Sequence, residues 1–185
     1  MATRRLTNGN DRYVAGNAND DISALDGNDH VEGRRGNDHV NGGRGDDDLY
    51  GGIGNDELYG GREDDYLNGG DGNDLLVGGY NDDVYVGGRG RDIFSSVSLS
   101  SNIPGFDRIE DFVNGEDRIR IAQQVSWSED LDTNGNGRLD NGDAYVSSSG
   151  STTVIDMADA AGFFDELDVL TVRSTSPLTE ADFTY

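Results

Sequence analysis

Gly51-Gly52-Ile53-Gly54-Asn55-Asp56-Glu57-Leu58-Tyr59 is one statement of a nine-residue phrase that the chain makes ten times in succession. The frames begin at Leu6, Ala15, Ala24, Gly33, Gly42, Gly51, Gly60, Gly69, Gly78 and Gly87. The sixth residue is Asp in every frame: Asp11, Asp20, Asp29, Asp38, Asp47, Asp56, Asp65, Asp74, Asp83 and Asp92. The eighth is apolar or aromatic in every frame: Tyr13, Ile22, Val31, Val40, Leu49, Leu58, Leu67, Leu76, Tyr85 and Phe94. Self-similarity at a short fixed period marks a stacked architecture, in which no unit can bury its own apolar face.

Within a frame the first six residues read as turn, because Gly and Asn accept positive φ and close backbone approach. The last three read as a minimal strand, its middle side chain inward and its neighbours outward. Two frames make one eighteen-residue coil of strand, turn, strand and turn. Successive coils then wind an all-β solenoid with two parallel sheets. Frames one coil apart stack on the same edge at the strand spacing of ~4.8 Å. A first edge carries Asp11, Asp29, Asp47, Asp65 and Asp83; a second carries Asp20, Asp38, Asp56, Asp74 and Asp92. One apolar residue per strand is too little core for an ordinary fold, so the turns must supply the missing stability.

The composition says what the turns need. The 185 residues suffice for one domain or two small units sharing an interface, and their formal charge is -23. Every basic residue is Arg, and the absence of Cys excludes disulfides, thiolate metal sites and thiol nucleophiles. Such an acidic, Gly-rich composition taken alone suggests disorder. The periodicity argues otherwise, provided cations neutralise the carboxylates. Calcium takes six to eight oxygens at about 2.3–2.6 Å, and the gaps between stacked turns offer room for about four ions per edge, about eight in all. A solvated acidic surface would not keep ten acids in phase, and a metal-free solenoid would leave like charges ~5 Å apart uncompensated. The acidity also argues against nucleic acid as a partner. Residues 1–11 hold Arg4 and Arg5 but no apolar core of the length a Sec-type signal needs, and no stretch approaches a membrane span. Export would require another address.

On these residues the array resembles the RTX family, whose calcium-binding nonapeptide repeat has this form. The match is best over residues 33–92. The resemblance implies a right-handed parallel β-roll over residues 6–95 and a β-rich C-terminal cap over 96–185. It implies that the ten in-phase Asp side chains are calcium ligands together with turn carbonyls at Gly43, Gly45, Gly52, Gly54, Gly61, Gly70, Gly72, Gly79, Gly88 and Gly90. Departures fall at Ala18, Glu63 and Asn81, which replace the fourth-position Gly, and at Arg91, which precedes the last Asp. The first three frames lack one or both leading glycines. Outward positions are polar early (Arg12, Asp21, His30, Glu32) and apolar late (Leu75, Val77, Val84, Val86, Ile93), which predicts that the C-terminal half covers the last strands.

A Ser-rich run over residues 95–101 ends the period and reads as a connector. Beyond it, Phe106-Asp107-Arg108-Ile109-Glu110-Asp111-Phe112, the turn at Gly115 and Asp117-Arg118-Ile119-Arg120-Ile121 resemble the segment that follows the roll in serralysin-type RTX proteins. There Asp107 and Asp111 are either acids near the final coil or surface residues. Asp132, Asn134, Asn136, Arg138 (through its carbonyl), Asp140 and Asp143 have the spacing of an EF-hand loop and predict one further calcium site between β elements. Strands are expected over 152–157, 167–173 and at the end, with a short helix or turn over 157–164. The tail Leu178-Thr179-Glu180-Ala181-Asp182-Phe183-Thr184-Tyr185 resembles the uncleaved C-terminal signal read by type I secretion machinery; it also reads as a closing strand.

No reaction centre is visible. His30 and His39, the only histidines, are nine residues apart and so belong to opposite sheets, and neither an H-E-x-x-H nor a G-x-S-x-G sequence occurs. The leading reading is a secreted, monomeric, non-enzymatic calcium-binding module that folds on ion binding and leaves by type I secretion. The alternative is a polysaccharide-binding module of a larger secreted enzyme, with Arg44, Arg62 and Tyr80 forming a ladder for an acidic polysaccharide. Ice binding would need flat Thr arrays, which the third positions do not supply.

Overall fold

The inward eighth residue of each frame fixes the architecture. In a computed structural model, which describes residues 2–95, 105–120, 146–149, 151–156, 169–174 and 176–184, the chain builds two sheets that face each other across one apolar ladder. The strands are β1 (Ala2–Arg5), β2 (Arg12–Val14), β3 (Asp20–Asp26), β4 (His30–Arg35), β5 (His39–Arg44), β6 (Asp48–Ile53), β7 (Glu57–Arg62), β8 (Tyr66–Asp71), β9 (Leu75–Tyr80), β10 (Val84–Arg89) and β11 (Ile93–Ser95). Next come β12 (Phe106–Phe112), β13 (Arg118–Arg120), β14 (Val146–Ser149), β15 (Thr152–Asp156), β16 (Val169–Ser174) and, after a 3₁₀ turn at Glu180–Asp182, β17 (Phe183–Thr184). One sheet runs β1-β3-β5-β7-β9-β11-β13-β17 and the other β14-β15-β16-β12-β10-β8-β6-β4-β2. Consecutive strands from β1 to β13 therefore alternate between sheets, as a solenoid of two-frame coils requires.

Register follows the period. Ile22, Val40, Leu58, Leu76 and Phe94 stand opposite one another in the first sheet, followed by Ile119 and Phe183. Tyr13, Val31, Leu49, Leu67 and Tyr85 do so in the second, followed by Ile109 and Val172. Every rung from Ile22 to Phe94 is at most 1% exposed. All pairings are parallel except those of β15, which is antiparallel to both β14 and β16.

The strands are longer than the repeat suggests. β7, Glu57–Arg62, comprises the last three residues of one frame and the first three of the next, so the turn shrinks to positions four to six. The two leading glycines lie inside the strand. Gly at the second position takes a positive φ (Gly52, +114°), and a methyl group there would collide with the Arg34 carbonyl oxygen of the preceding coil. Coils thus approach more closely than side chains would permit. Where glycine is missing the backbone still turns the same way: Leu25, Arg34, Glu63 and Asn81 all have positive φ.

The second half continues the roll instead of lying across it. β12 stacks on β10, β13 on β11, β16 on β12 and β17 on β13, all sharing one core that closes on Phe112, Leu178 and Phe183. The outward Leu75, Val77, Val84, Val86 and Ile93 are only half-buried, so the expected cover over those faces is not formed by the described residues. Val84 and Ile93 instead adjoin Arg108 of β12 and Arg118 of β13, strands added end-on, while Leu75 and Val77 pair within the array. The strands expected over 152–157, 167–173 and at the C-terminus correspond to β15, β16 and β17. The loop over 132–143 and the helix or turn over 157–164 lie outside the described residues.

Positive φ at a non-glycine residue costs roughly 1–2 kcal/mol. Arg34 is exposed, so its replacement isolates that cost. Arg34→Gly is expected to raise stability in saturating calcium by about 1 kcal/mol, read as a higher denaturant midpoint with an unchanged slope.

Candidate metal centres on the two turn edges

Each coil places its sixth-position Asp where the chain leaves the turn, with the side chain folded back beneath the strand. One oxygen is used at once. The backbone N–H of Asp47 donates to Oδ1 of Asp65 at 2.9 Å, and that of Asp65 donates to Oδ1 of Asp83 at 3.0 Å. The same bond joins Asp11 to Asp29, Asp29 to Asp47, Asp20 to Asp38, Asp38 to Asp56, Asp56 to Asp74 and Asp74 to Asp92. The other oxygen is not used. Oδ2 of Asp29, Asp38, Asp47, Asp56, Asp65, Asp74, Asp83 and Asp92 is buried without a hydrogen-bond partner. Four of these eight oxygens lie on each edge.

The main chain supplies the rest of the oxygen environment. A methyl group on Gly42 would collide with Oδ2 of Asp47 and sit 2.7 Å from the Gly60 carbonyl oxygen. Gly33 and Gly51 have the same surroundings, with Asp38 and Gly51, and Asp56 and Gly69. Carbonyl oxygens of Leu25, Arg34, Gly43, Gly52, Gly61 and Gly70 press on the second-position glycine of the next coil. Those of Gly27, Gly36, Gly54, Gly72 and Asn81 press on the fourth position. No three Asp, Glu or His side chains converge on one point among the described residues. A cation held here would therefore take one or two carboxylates and complete its shell with carbonyls, a hard-oxygen donor set that fits calcium and not a transition metal.

Burial dominates the electrostatics. It pushes the carboxyl of Asp47 up to about 7, of Asp65 up to about 8 and of Asp83 up to about 9. On the second edge it raises Asp56 to about 6, Asp74 to about 7 and Asp92 to about 6. Neighbouring acids add to the rise, while the backbone N–H from the preceding coil opposes it. Asp11 behaves differently: its carboxylate accepts the hydroxyl and backbone N–H of Thr7, at 2.7 and 2.8 Å, and those bonds hold its pKa below the usual range. Asp20 accepts the N–H of Ala2 at 3.2 Å. The first edge thus ends in a local bond, whereas on the second the eighteen-residue bond is repeated by Ala2.

The ladders also run past the array. The N–H of Asp83 donates to Oδ1 of Asp107 at 3.0 Å, and that of Asp92 to Oδ1 of Asp117 at 2.9 Å. The Ser-rich run interrupts the period without ending the coil geometry, because Gly105-Phe106-Asp107-Arg108-Ile109 and Gly115-Glu116-Asp117-Arg118-Ile119 restate its turn. That restatement is the signal for Asp117, and the insertion before it hides the phase. The second oxygen of Asp117 accepts the Val113 N–H at 2.8 Å and closes the C-terminal end of the second edge, as Thr7 closes the N-terminal end of the first. Asp111 serves the main chain instead, accepting the N–H groups of Gly87 and Gly88 at 2.9 and 2.8 Å. Asp182, in the tail, accepts from Thr179 and from the N–H of Gly115.

A second set of side chains crosses the coils in the opposite sense. The fifth-position residue accepts, on Oδ1, the backbone N–H of its counterpart one coil later: Asn10 from Asn28, Asn37 from Asn55, Asp46 from Asp64 and Asp64 from Asp82, at 3.0 to 3.3 Å. The sequence pattern by itself assigns these residues to turn formation alone. The histidines stand apart from both sets, His30 on β4 and His39 on β5, on different sheets as expected, each tilted against a Tyr ring at 5.2 Å. The six loop residues Asp132, Asn134, Asn136, Arg138, Asp140 and Asp143 lie outside the described residues.

A family model described as RTX calcium-binding nonapeptide repeat matches the chain in four copies, at residues 7–40, 23–58, 32–67 and 59–94. Comparison with curated proteins yields no match.

The raised carboxyls give a pH dependence of definite sign. Each has a folded-state pKa above the ~3.9 of an unfolded Asp, so the metal-free fold binds protons more tightly than the unfolded chain. That contribution to stability is complete below about pH 4 and is lost as pH rises through the 6 to 9 range of these groups. In calcium-free buffer, circular dichroism should therefore show β structure that is kept at about pH 5 and lost as pH rises toward about pH 9. Saturating calcium should remove the fall, because the deprotonated acid is the cation-binding form. A flat calcium-free profile would contradict the burial of these carboxyls.

Proposed function

Because residues 7–94 belong to the RTX calcium-binding nonapeptide repeat family, we propose that this chain is a structural module that calcium folds outside the cell. The observation that carries the proposal is the set of eight buried aspartates whose Oδ2 atoms have no partner. A carboxylate removed from water without compensation is strongly unfavourable. Calcium, when bound, supplies the compensating charge and accepts carboxylate and carbonyl oxygens together. The unfolded chain has no such gaps between coils, so binding free energy becomes folding free energy.

The chain's own residues set the direction of the switch. Where calcium is scarce, the Asp ladders repel and the single-rung core is too thin to hold them together. Leu178 and Phe183, buried in the core of the folded form, are then exposed to recognition. This supports export of an unfolded chain by type I secretion machinery through its C-terminal tail, followed by closure of the roll in millimolar calcium. The module acts by folding and binding, without catalysis. At about pH 9, where the metal-free fold has lost the stability that protonation gives, circular dichroism should show β structure in millimolar calcium and its loss on chelation; a chelated form that stays fully folded there would overturn the reading.

One observation favours a second role beside the first. Arg44, Arg62 and Tyr80 lie in register on β5, β7 and β9, and the Arg62 guanidinium stands 5.8 Å over the Tyr80 ring. Cations and an aromatic face at strand spacing suit an acidic polysaccharide. Retention on an anionic glycan matrix in calcium should then fall on Arg44→Ala plus Arg62→Ala, whereas equal retention would remove this role.

A further inference from the structure

The two edges differ in charge although they share one geometry. On the first edge the residue before the ladder Asp changes from Asn28 to Asp46, Asp64 and Asp82. On the second it is an amide at Asn37, Asn55 and Asn73 and becomes Arg91 in the last frame. Both kinds of side chain make the same bond. Asp64 and Asp82 donate their N–H to the Oδ1 of Asp46 and Asp64, just as Asn55 and Asn73 donate to Asn37 and Asn55. All six are exposed. Exchanging Asn for Asp therefore keeps these backbone bonds; apart from one exposed side-chain bond, from Asn28 Nδ2 to Asp46 Oδ2 at 3.1 Å, it alters the field at the turn.

That field acts on a defined place. Asp47, Asp65 and Asp83, each adjacent in sequence to one of the exposed acids, are at most 2% exposed and keep an unpartnered Oδ2. Their second-edge counterparts Asp38, Asp56 and Asp74 have the same unpartnered oxygen but lack the second acid. Arginines do not cancel the difference. The first edge carries Arg44, two residues before Asp46, and Arg62, followed by Glu63, whereas the outer second-edge turns carry two each, Arg34 with Arg35 and Arg89 with Arg91.

Resting on the calcium reading above, we infer that the first edge is the tight edge: its gaps take divalent cations before those of the second, so the chain fills in two affinity classes set by the fifth-position residue. An exposed carboxylate about 6 Å from a divalent ion in a water-like dielectric changes its affinity by roughly tenfold at low salt. Because the outer acids face solvent, the separation between classes must shrink as salt is raised, the Debye length falling from about 10 Å at 0.1 M to about 3 Å at 1 M.

Calorimetric titration of the full chain with calcium, at low and high salt, tests this against two variants. Asp46→Asn/Asp64→Asn/Asp82→Asn keeps every Oδ1 acceptor. It should lose the tight class, by about tenfold per site, with the total ion count unchanged. Asn37→Asp/Asn55→Asp/Asn73→Asp should move the weak class toward the tight one. Circular dichroism in saturating calcium verifies that each variant has folded, and the second variant decides the matter if the first has not folded. A single affinity class in the native chain at low salt, or a tight class unmoved by either variant, would overturn the inference while leaving calcium-driven folding intact. Absence of any calcium uptake would overturn the calcium reading and the inference with it.

Discussion

A carboxylate carried out of water, one oxygen bonded and the other bare, is the constraint to which every position of the repeat answers. The sixth-position Asp can be buried because its Oδ1 takes a backbone N–H from the coil before it, a bond repeated along both edges from Asp11 to Asp117. The first position is small because Oδ2 occupies the space beside it, as at Gly42 and Asp47. The eighth position is apolar because it is the only side chain per strand left to fill the interior. Nothing else in this scheme disposes of the charge itself, which falls to a bound proton or to a cation.

The two sets of cross-coil bonds give the stack its cohesion. Sixth-position acids accept from the preceding coil and fifth-position residues accept from the following one. Each turn is thereby fastened in both directions, and no coil is complete without its neighbours. Such a chain of nearest-neighbour couplings behaves as a one-dimensional cooperative system, weakest where a neighbour is lacking. The N-terminal coils show that weakness: Leu25 and Arg34 hold a glycine-like φ, Tyr13 is only partly buried, and Thr7 rather than a further coil satisfies Asp11.

Much of this is legible in the amino-acid sequence, for a physical reason. An array repeats its chemistry at fixed phase, so the alternation of sheets, the eighteen-residue register and the two Asp ladders follow from Asp56 and Leu58 and their equivalents. The strand lengths do not follow. Glycine disfavours strands in general, and only the close stacking of coils turns Gly51 and Gly52 into strand residues. Asp117 is obscured because the insertion before it spoils the period, although its turn phrase is intact. Asp182 is obscured because the tail reads as an export signal as readily as a strand. The fifth-position bonds are hidden in residues whose turn preference already explains them.

The antiparallel strand β15 has a consequence for how the molecule ends. From β2 to β16, every contact in the second sheet runs in one direction, the direction in which the coil winds. A solenoid with that polarity kept to its last strand would offer an open template on which another molecule's first coil could lie, in the manner of a growing fibre. By reversing direction, β15 and β14 close this sheet with a hairpin that breaks its polarity, whereas the first sheet stays parallel as far as the two-residue β17. In one of the two sheets, then, the reversal works against propagation of a motif whose own logic is unlimited repetition.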